Sequence, residues 1–321
     1  MTAIEGIEVD GLTKSYGADQ VLTGVDLSVR RGEVFALLGP NGAGKTTTVR
    51  ILTTLVPFDS GRVRVGGHDV VADRREVRRR ISLTGQYAAL DELQTGTENL
   101  RMMGRLRGLS GRAARARATE LLDRFDLTAA ADRRVGTYSG GMRRRLDLAA
   151  GLVIQPEVIF LDEPTTGLDP RSRQALWDVV AAQAAVGVTV FLTTQYLDEA
   201  DRLADRIAVV DGGRVIAEGT ATELKRRVAG QRLDVQLVDT YTFDTVLTEL
   251  GSRAVHVDRP ALTIGVASDG SAIQTRALLD HIDPHQRRIE HFTLRTASLD
   301  DVFMELTGRH ASTVERETTN V

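Results

Sequence analysis

A glycine-rich segment near the start of the chain, Gly39-Pro-Asn-Gly-Ala-Gly-Lys-Thr46, contains the residue types that bind phosphate groups. Glycines allow backbone N–H groups to turn inward around an anion, which larger side chains would obstruct. In such a loop Lys45 can bridge the β- and γ-phosphates of a nucleotide, and the Thr46 hydroxyl can bind Mg²⁺. The candidate phosphate-binding residues are Gly39, Pro40, Asn41, Gly42, Ala43, Gly44, Lys45, Thr46 and Thr47.

An acidic pair, Asp162 and Glu163, directly follows the apolar run Val158-Ile-Phe-Leu161. The run predicts a buried strand, and open α/β sheets bind ligands at the carboxyl ends of their strands. Asp162 can hold Mg²⁺ through the water shell of the ion, and Glu163 can polarise a water molecule for attack on the γ-phosphorus. An acidic pair usually belongs to a solvated loop, but one preceded by a buried strand is not typical of that alternative.

A third segment, Tyr138-Ser-Gly-Gly-Met142, begins a helical pattern that contains three consecutive arginines. Ser139, Gly140 and Gly141 offer a hydroxyl and backbone N–H groups to a phosphate at the start of a helix. Taken alone, the segment is more simply explained by Ser139 as a helix N-cap. Its position shortly before the acidic strand favours a more specific role.

Composition and charge exclude several classes of protein. The 321 residues are 42% hydrophobic and 26% charged with a net charge of −3, which indicates a globular chain and no nucleic-acid partner. The absence of cysteine excludes disulfides and thiolate metal sites. None of the lysines at 14, 45 and 225 follows an asparagine, so the guanine-specific signature of GTPases is missing. The most apolar stretch, residues 179–194, is too short to cross a bilayer, and we expect any membrane-spanning part to belong to another chain.

The elements that must position these residues follow an α/β pattern. Short β-branched runs, among them residues 34–38, 158–161 and 188–192, alternate with amphipathic helical stretches up to about residue 220, which predicts a buried sheet. A helical pattern is expected over residues 46–55, directly after the glycine-rich loop. Residues 100–109 and 113–125 are rich in alanine, leucine and arginine at helical spacing, and they predict a helical insertion.

The last third of the chain has a different pattern. Leu233, Val235 and Leu237 alternate as in a strand, and so do the apolar residues at 262, 264 and 266. Residues 272–282 predict a helix, and Ser298 is placed to cap a final one. We therefore expect a small α+β domain here, followed by a polar, disordered tail over residues 310–321.

The order and spacing of these motifs resemble the ATP-binding subunits of ABC transporters over roughly residues 5–225. The motifs are the phosphate loop, a glutamine at 86, the Ser-Gly-Gly segment, the acidic strand and Gly167-Leu-Asp169. The resemblance implies an ABC-type nucleotide-binding domain of the P-loop NTPase fold over residues 1–225, with a helical subdomain at about 90–150. A C-terminal accessory domain would occupy residues 226–309. The implied activity is ATP hydrolysis, with ATP and Mg²⁺ bound.

The resemblance implies roles for single residues outside the phosphate loop. Tyr16 would stack on the adenine, although a core tyrosine is the alternative. Gln86 would reach Mg²⁺ and respond to a membrane partner, and the implied metal ligands are Thr46, Gln86 and Asp162. The sequence departs from the family at Met142, where glutamine is usual, and at Gln195, where a strand-end histidine is expected. We expect hydrolysis to persist with Gln195 as a neutral hydrogen-bond donor to the γ-phosphate.

Other residues are expected to act across an interface. By the resemblance, Ser139, Gly140 and Gly141 close over ATP bound to another copy, and Asp169 contacts that copy. Because the sequence has one phosphate loop and no internal repeat, the chain must pair with a second chain, most simply a second copy of itself.

Three further segments resemble the daunorubicin-resistance type of ATP-binding subunit. They begin at Thr137 with Thr-Tyr-Ser-Gly-Gly-Met-Arg-Arg-Arg, at Leu192 with Leu-Thr-Thr-Gln-Tyr-Leu-Asp-Glu-Ala, and at Ser298 with Ser-Leu-Asp-Asp-Val-Phe. Such subunits work at the cytoplasmic face of the membrane with separate permease chains, which bind and export drug-like or lipid-like compounds. A soluble regulatory ATPase, or an ABC-type ATPase associated with nucleic acid or ribosomes, is the alternative. Proteins of the ribosome-associated class usually carry two cassettes, coiled coils or zinc modules, which this sequence lacks.

Overall fold

The apolar runs and amphipathic helices assemble, in a computed structural model, into two units that comprise residues 1–220 and 221–321. The structure describes residues 5–85, 90–228, 231–295 and 298–307. The tail predicted at 310–321 lies outside the described residues. None of the described helices is both long and apolar enough to cross a membrane.

Strands and helices alternate through the N-terminal unit. Its strands are β1 (Glu5–Tyr16), β2 (Asp19–Arg30), β3 (Val34–Leu38), β4 (Ser60–Val65), β5 (His68–Asp69), β6 (Ile81–Thr84), β7 (Val158–Asp162), β8 (Thr189–Thr194), β9 (Arg206–Asp211) and β10 (Arg214–Gly219). Its helices are α1 (Lys45–Leu52), α2 (Arg74–Arg80), α3 (Gly96–Leu106), α4 (Gly111–Arg124), α5 (Gly140–Gly151), α6 (Pro170–Ala185) and α7 (Leu197–Leu203).

A largely parallel sheet forms the centre of this unit. Its order is β10-β9-β3-β8-β7-β6, and every neighbouring pair except β10 and β9 is parallel. A second, antiparallel sheet has the order β2-β1-β4-β5. The predicted strands at 34–38, 158–161 and 188–192 are confirmed, and β3 and β7 are completely buried, as expected for strands covered on both faces.

The helical insertion is confirmed, but its helices begin earlier than predicted because capping residues start them. Thr95 and Glu98 form a capping box at the start of α3, and the Ser110 hydroxyl accepts a hydrogen bond from the third residue of α4. By contrast, α1 ends at Leu52, before the predicted residue 55. Thr54 adopts a left-handed φ of 64°, which no helix can continue through.

The C-terminal unit is an antiparallel sheet with helices, which confirms the predicted α+β fold. Its elements are α8 (Ala221–Val228), β11 (Gln231–Leu237), α9 (Thr240–Leu250), β12 (Ala254–Asp258), β13 (Thr263–Ser268), α10 (Ala272–Ile282), β14 (Ile289–Arg295) and α11 (Leu299–Thr307). The sheet order is β12-β13-β11-β14. Inward residues of β11 and β13 pack against Phe243 and Val246 of α9 and Ile282 of α10 to form a separate hydrophobic core.

Candidate active site

The glycine-rich loop connects β3 to α1 at the carboxyl end of a central strand. A side chain at Gly39 would be obstructed, because its Cβ would lie 2.3 Å from the carbonyl oxygen of Val210. Gly44 has a left-handed φ of 98°, and a Cβ there would lie 2.5 Å from Cδ2 of Leu22. The loop backbone therefore packs directly against neighbouring strands, which holds its conformation.

Helix α1 begins where this loop ends. Its first backbone N–H groups have no partner within the helix, and its first turn carries no acidic residue. The positive end of the helix dipole is therefore available to an anion. A tightly packed glycine loop followed by such a helix start fits the phosphate groups of a nucleotide.

Lys45 links the loop to the acidic strand. Its Nζ atom donates hydrogen bonds to the carbonyl oxygens of Gly39, at 2.8 Å, and Pro40, at 3.0 Å. The same Nζ lies 3.5 Å from Oε1 of Glu163, and the two side chains are only 4% and 10% exposed. The structure thus brings together the lysine and the glutamate that the sequence singled out separately.

Asp162 receives hydrogen bonds from two hydroxyl groups. Thr46 Oγ1 donates to its Oδ1 atom at 3.1 Å, and Thr193 Oγ1 donates to the same atom at 2.6 Å. Thr193 lies directly opposite Asp162 in the parallel β7–β8 pair. No motif marks Thr193 in the sequence, where it directly follows a predicted strand. A carboxylate beside a threonine hydroxyl is a donor set that suits Mg²⁺.

The backbone of Glu163 turns sharply at the end of β7. Its φ is 47°, in the left-handed region that non-glycine residues rarely adopt. Its backbone N–H donates to the carbonyl oxygen and to the hydroxyl of Thr193, both at 3.1 Å. The turn directs the residue out of the strand at the level of Lys45, and holding a residue in this region costs about 1–3 kcal/mol.

The Ser-Gly-Gly segment and the loop of Asp169 are packed together. Ser139 is the N-cap of α5, and its Oγ accepts a hydrogen bond from the N–H of Met142 at 3.2 Å. A Cβ on Gly141 would lie 2.2 Å from Oγ of Ser172, which itself donates to Asp169 at 2.6 Å. Hydrogen bonds from Ser172 hold the pKa of Asp169 below its ordinary value. Ser139 thus caps the helix, as the simpler interpretation of its sequence predicts, and this cap does not exclude a second role in binding phosphate.

The remaining predicted residues differ in placement. Tyr16 is 46% exposed, with Lys14 Nζ 5.1 Å from its ring centroid, so the alternative of a core tyrosine is wrong. Gln195 directly follows β8 and is exposed. Gly140, the first residue of α5, is exposed too, and a Cβ on it would meet no atom within 4 Å among the described residues. Gln86 lies outside the described residues.

The buried carboxyl group of Glu199, which is not among the predicted site residues, links α7 to α6 by a hydrogen bond. Glu199 is completely buried, and Trp177 Nε1–H donates to its Oε1 atom at 3.1 Å. Burial raises the pKa of Glu199 above its ordinary value, which the hydrogen bond from Trp177 and the charge of Arg173 oppose. Helix α7 follows Gln195, and helix α6 follows Asp169. The hydrogen bond from Trp177 to Glu199 therefore joins the two helices that come after these predicted site residues.

The raised pKa of Glu199 predicts a pH-dependent loss of stability. The folded chain holds a proton that the unfolded chain releases as the pH rises from the ordinary glutamate pKa to the folded value, so stability falls across that window. Glu199→Gln removes this loss and keeps an oxygen acceptor for Trp177. We expect the difference in Tm, variant minus wild type, to grow as the pH rises above the ordinary glutamate pKa. Asp198→Asn, exposed on the same helix, is the control, and a Glu199→Gln difference that does not vary with pH would contradict the prediction.

Comparison with known proteins gives close matches. The family described as ABC transporter matches residues 22–166, and the family described as ATP-binding protein DrrA1-3-like, C-terminal domain, matches residues 219–307. The chain is 52% identical to the daunorubicin/doxorubicin resistance ATP-binding protein DrrA of Streptomyces peucetius, over 95% of this chain and 93% of that protein. It is 38% identical to the Nod factor export ATP-binding protein I of Ralstonia nicotianae, over 94% of each chain.

A solved structure matches the fold. It is the dimeric structure of a post-hydrolysis state of the ATP-binding cassette MJ0796 bound to ADP and Pi, with a TM-score of 0.61 and 27% identity over 67% of this chain and 98% of that chain. These relatives do not favour a soluble regulatory or nucleic-acid-associated ATPase. The chain is 52% identical to the Streptomyces peucetius protein over nearly its whole length. In addition, its phosphate loop, Asp162 and Glu163 meet at one edge of the sheet. The chain therefore belongs to the ATP-binding subunits of ABC transporters, within their daunorubicin-resistance type, and is an ATPase.

Proposed function

We propose that this chain binds ATP with Mg²⁺ at the carboxyl ends of β3 and β7, pairs with a second copy of itself, and drives a separate permease. The observation that carries the proposal is the meeting of four side chains at that edge. Lys45 lies 3.5 Å from Glu163, and Thr46 donates to Asp162 at 3.1 Å. Such a cluster of one cation, two carboxylates and a hydroxyl beside a helix start suits phosphoryl transfer to water.

The residues of this site would divide the binding of ATP among them. The loop residues from Gly39 to Thr47 would surround the phosphates, Lys45 would leave the carbonyl oxygens it now contacts for the β- and γ-phosphates, and Tyr16 would stack on the adenine. Thr46, Asp162 and Gln86 would hold Mg²⁺, which withdraws charge from the phosphate oxygens when bound. The exposed ring of Tyr16 supports this assignment, because a stacking face must be open.

Glu163 would orient a water molecule and draw on its proton as the water oxygen attacks the γ-phosphorus. The new P–O bond forms as the bond from the γ-phosphorus to the β–γ bridging oxygen breaks, which yields ADP and phosphate. Lys45 would stabilise the charge on the phosphoryl oxygens, and the amide of Gln195 would donate a neutral hydrogen bond to the γ-phosphate. The positive φ of Glu163 supports its role, because strained residues cluster at functional sites.

A second copy would complete each site. Ser139, Gly140 and Gly141 would contact the nucleotide bound to the partner, and Asp169 would contact the partner itself. The exposed start of α5 supports this, and so does the dimeric form of the solved cassette that matches the fold. We assign residues 1–225 to the ATP-binding domain and 226–309 to the accessory domain. The two compact units, 1–220 and 221–321, support this division to within five residues, with α8 in the second unit.

The relatives support a proposal for the cargo and the location. One relative is named for daunorubicin and doxorubicin resistance and another for Nod factor export, so the exported compound would be drug-like or lipid-like. The permease would bind that compound, while this chain lies at the cytoplasmic face of the cell membrane as a peripheral subunit. We expect no nucleic acid among its partners.

The role of Glu163 can be tested by Glu163→Gln. The amide cannot accept the proton of the attacking water, and we expect kcat for ATP hydrolysis to fall about 10²- to 10⁴-fold. Binding of a fluorescent ATP analogue should be retained, and ATP should convert the variant to a dimer in size-exclusion chromatography with light scattering. Asp178→Asn, exposed in the third turn of α6, is the control. Hydrolysis by Glu163→Gln at the wild-type rate would exclude Glu163 as the base.

The contribution of a second copy can be tested by Gly140→Ala. The added methyl group meets no described atom of its own chain within 4 Å, so a loss of hydrolysis at unchanged stability points to contact with another molecule. We expect ATP binding to stay within about 2-fold, while hydrolysis falls at least about 10-fold because the partner's nucleotide is held about 1 Å out of place. Gly111→Ala is a matched control, since Gly111 is likewise the first residue of a helix. Full activity of Gly140→Ala would argue against contact with a partner's nucleotide.

The replacement of the expected histidine can be tested by Gln195→Ala. Loss of one neutral hydrogen bond should lower kcat by about 2- to 10-fold, with KM for ATP little changed. The control is Gln155, which is exposed in the loop before β7, at the end of the strand away from the site. Gln155→Ala should leave kcat at the wild-type value. If Gln195→Ala also turns over at the wild-type rate, Gln195 does not contact the γ-phosphate.

A further inference from the structure

Arg144 is a largely buried arginine in the second turn of α5, and its guanidinium contacts the backbone on both sides of Glu163. Nε donates to the carbonyl oxygen of Pro164 at 2.9 Å, and Nη2 donates to that of Asp162 at 3.4 Å. The side chain is 11% exposed. The two peptide carbonyls that flank the proposed catalytic glutamate are therefore held by a single side chain.

The same guanidinium reaches a third segment. Nη1 donates a hydrogen bond to the carbonyl oxygen of Gly85, which directly follows β6. Nη1 also lies 3.8 Å from Oδ2 of Asp147, one turn further along α5 and almost completely buried. Burial lowers the pKa of Arg144, and the carboxylates of Asp147, Asp162 and Glu199 oppose that shift.

A rigid, planar set of N–H donors suits this position. Arginine can serve several carbonyl oxygens at once, because its donors point in fixed and different directions, whereas an ammonium group acts as a single point charge. On the other side of the turn, the N–H of Glu163 is already held by Thr193. Arg144 and Thr193 together enclose the strained backbone of Glu163, and a strained residue persists only where its surroundings over-determine it.

We propose that Arg144 is a positioning residue for hydrolysis, which holds Glu163 in register with Lys45 by fixing the Asp162–Pro164 backbone to the start of α5 and to the end of β6. This inference rests on the proposed role of Glu163. In this arrangement Arg144 joins α5, whose first residues would contact a second copy, to the backbone of residues 162–164 in its own chain.

The neighbouring Arg145 provides a matched control. It too is largely buried and donates to backbone carbonyls, at 2.9 Å to Phe125 and at 3.3 Å to Asp126. Those residues directly follow α4 in the helical segment and are far in sequence from residues 162–164. A change at Arg145 therefore removes a similar set of contacts from the same helix without touching the backbone around Glu163.

The test compares Arg144→Met, Arg144→Lys and Arg145→Met in the full chain, by steady-state ATP hydrolysis and by binding of a fluorescent ATP analogue. A catalytic group displaced by about 1 Å loses roughly 10²-fold in rate, so we expect Arg144→Met to lower kcat about 10- to 100-fold, with KM and nucleotide affinity within about 2-fold. Arg145→Met should keep kcat within about 2-fold of the wild type. Hydrogen exchange should quicken at residues 162–166 in Arg144→Met and not in Arg145→Met.

Arg144→Lys protects the test against a variant that fails to fold. Lysine keeps a positive charge beside Asp147, so we expect a Tm close to that of the wild type. Its donors all lie on one nitrogen and cannot reach the carbonyl oxygens that Arg144 contacts through Nε, Nη1 and Nη2, so kcat should stay several-fold reduced. Full recovery of kcat in Arg144→Lys, equal losses in Arg144→Met and Arg145→Met, or a loss confined to KM would each overturn the inference.

The parallel Glu163→Gln measurement distinguishes an error in the role of Arg144 from an error in the role of Glu163. If Glu163→Gln is inactive and Arg144→Met turns over at the wild-type rate, only the role of Arg144 is wrong. If Glu163→Gln turns over at the wild-type rate, the proposed role of Glu163 is wrong, and the inference falls with it.

Discussion

The parallel register of β3, β8 and β7 is the constraint on which the candidate site depends. Leu38 lies opposite Thr194, and Asp162 lies opposite Thr193, so the three strands end within one residue of each other along the sheet. The glycine-rich loop leaves β3 at that level, and Glu163 leaves β7 there. Since successive side chains of a strand point to opposite faces, a shift of one residue would turn Asp162 away from Thr46.

The hydrophobic layer beneath this edge stabilises the register. Phe191 of β8 lies between Phe35 of β3 and Phe160 of β7, with ring centroids 5.7 Å apart in both pairs. All three side chains are completely buried. Aromatic pairs of this kind add about 0.5–1.5 kcal/mol each to the free energy gained from burial. The sheet can therefore support unfavourable features at its edge, namely buried charges that need partners and a left-handed glutamate.

Much of the architecture could be predicted from the sequence, because local patterns encode it. The strands at β3, β7 and β8, helix α10 and the α+β character of the last third follow from apolar periodicity alone. Element boundaries were less accurate where a single residue decided them. Thr95 and Ser110 start their helices early by capping, and the left-handed Thr54 ends α1, and neither effect has a periodic signature.

The sequence by itself determined which chemistry is possible, since the glycine-rich loop, Lys45 and the acidic pair must have these residue types to handle a nucleotide. It also determined the family, through the order and spacing of its motifs. Only the tertiary structure decided which groups meet, because strand register and helix packing bring together residues that are distant in the chain. The sequence therefore could not predict that Thr193 would contact Asp162, or that Arg144 would contact the backbone next to Glu163. Neither contact has a local motif, since each arises where one element packs on another.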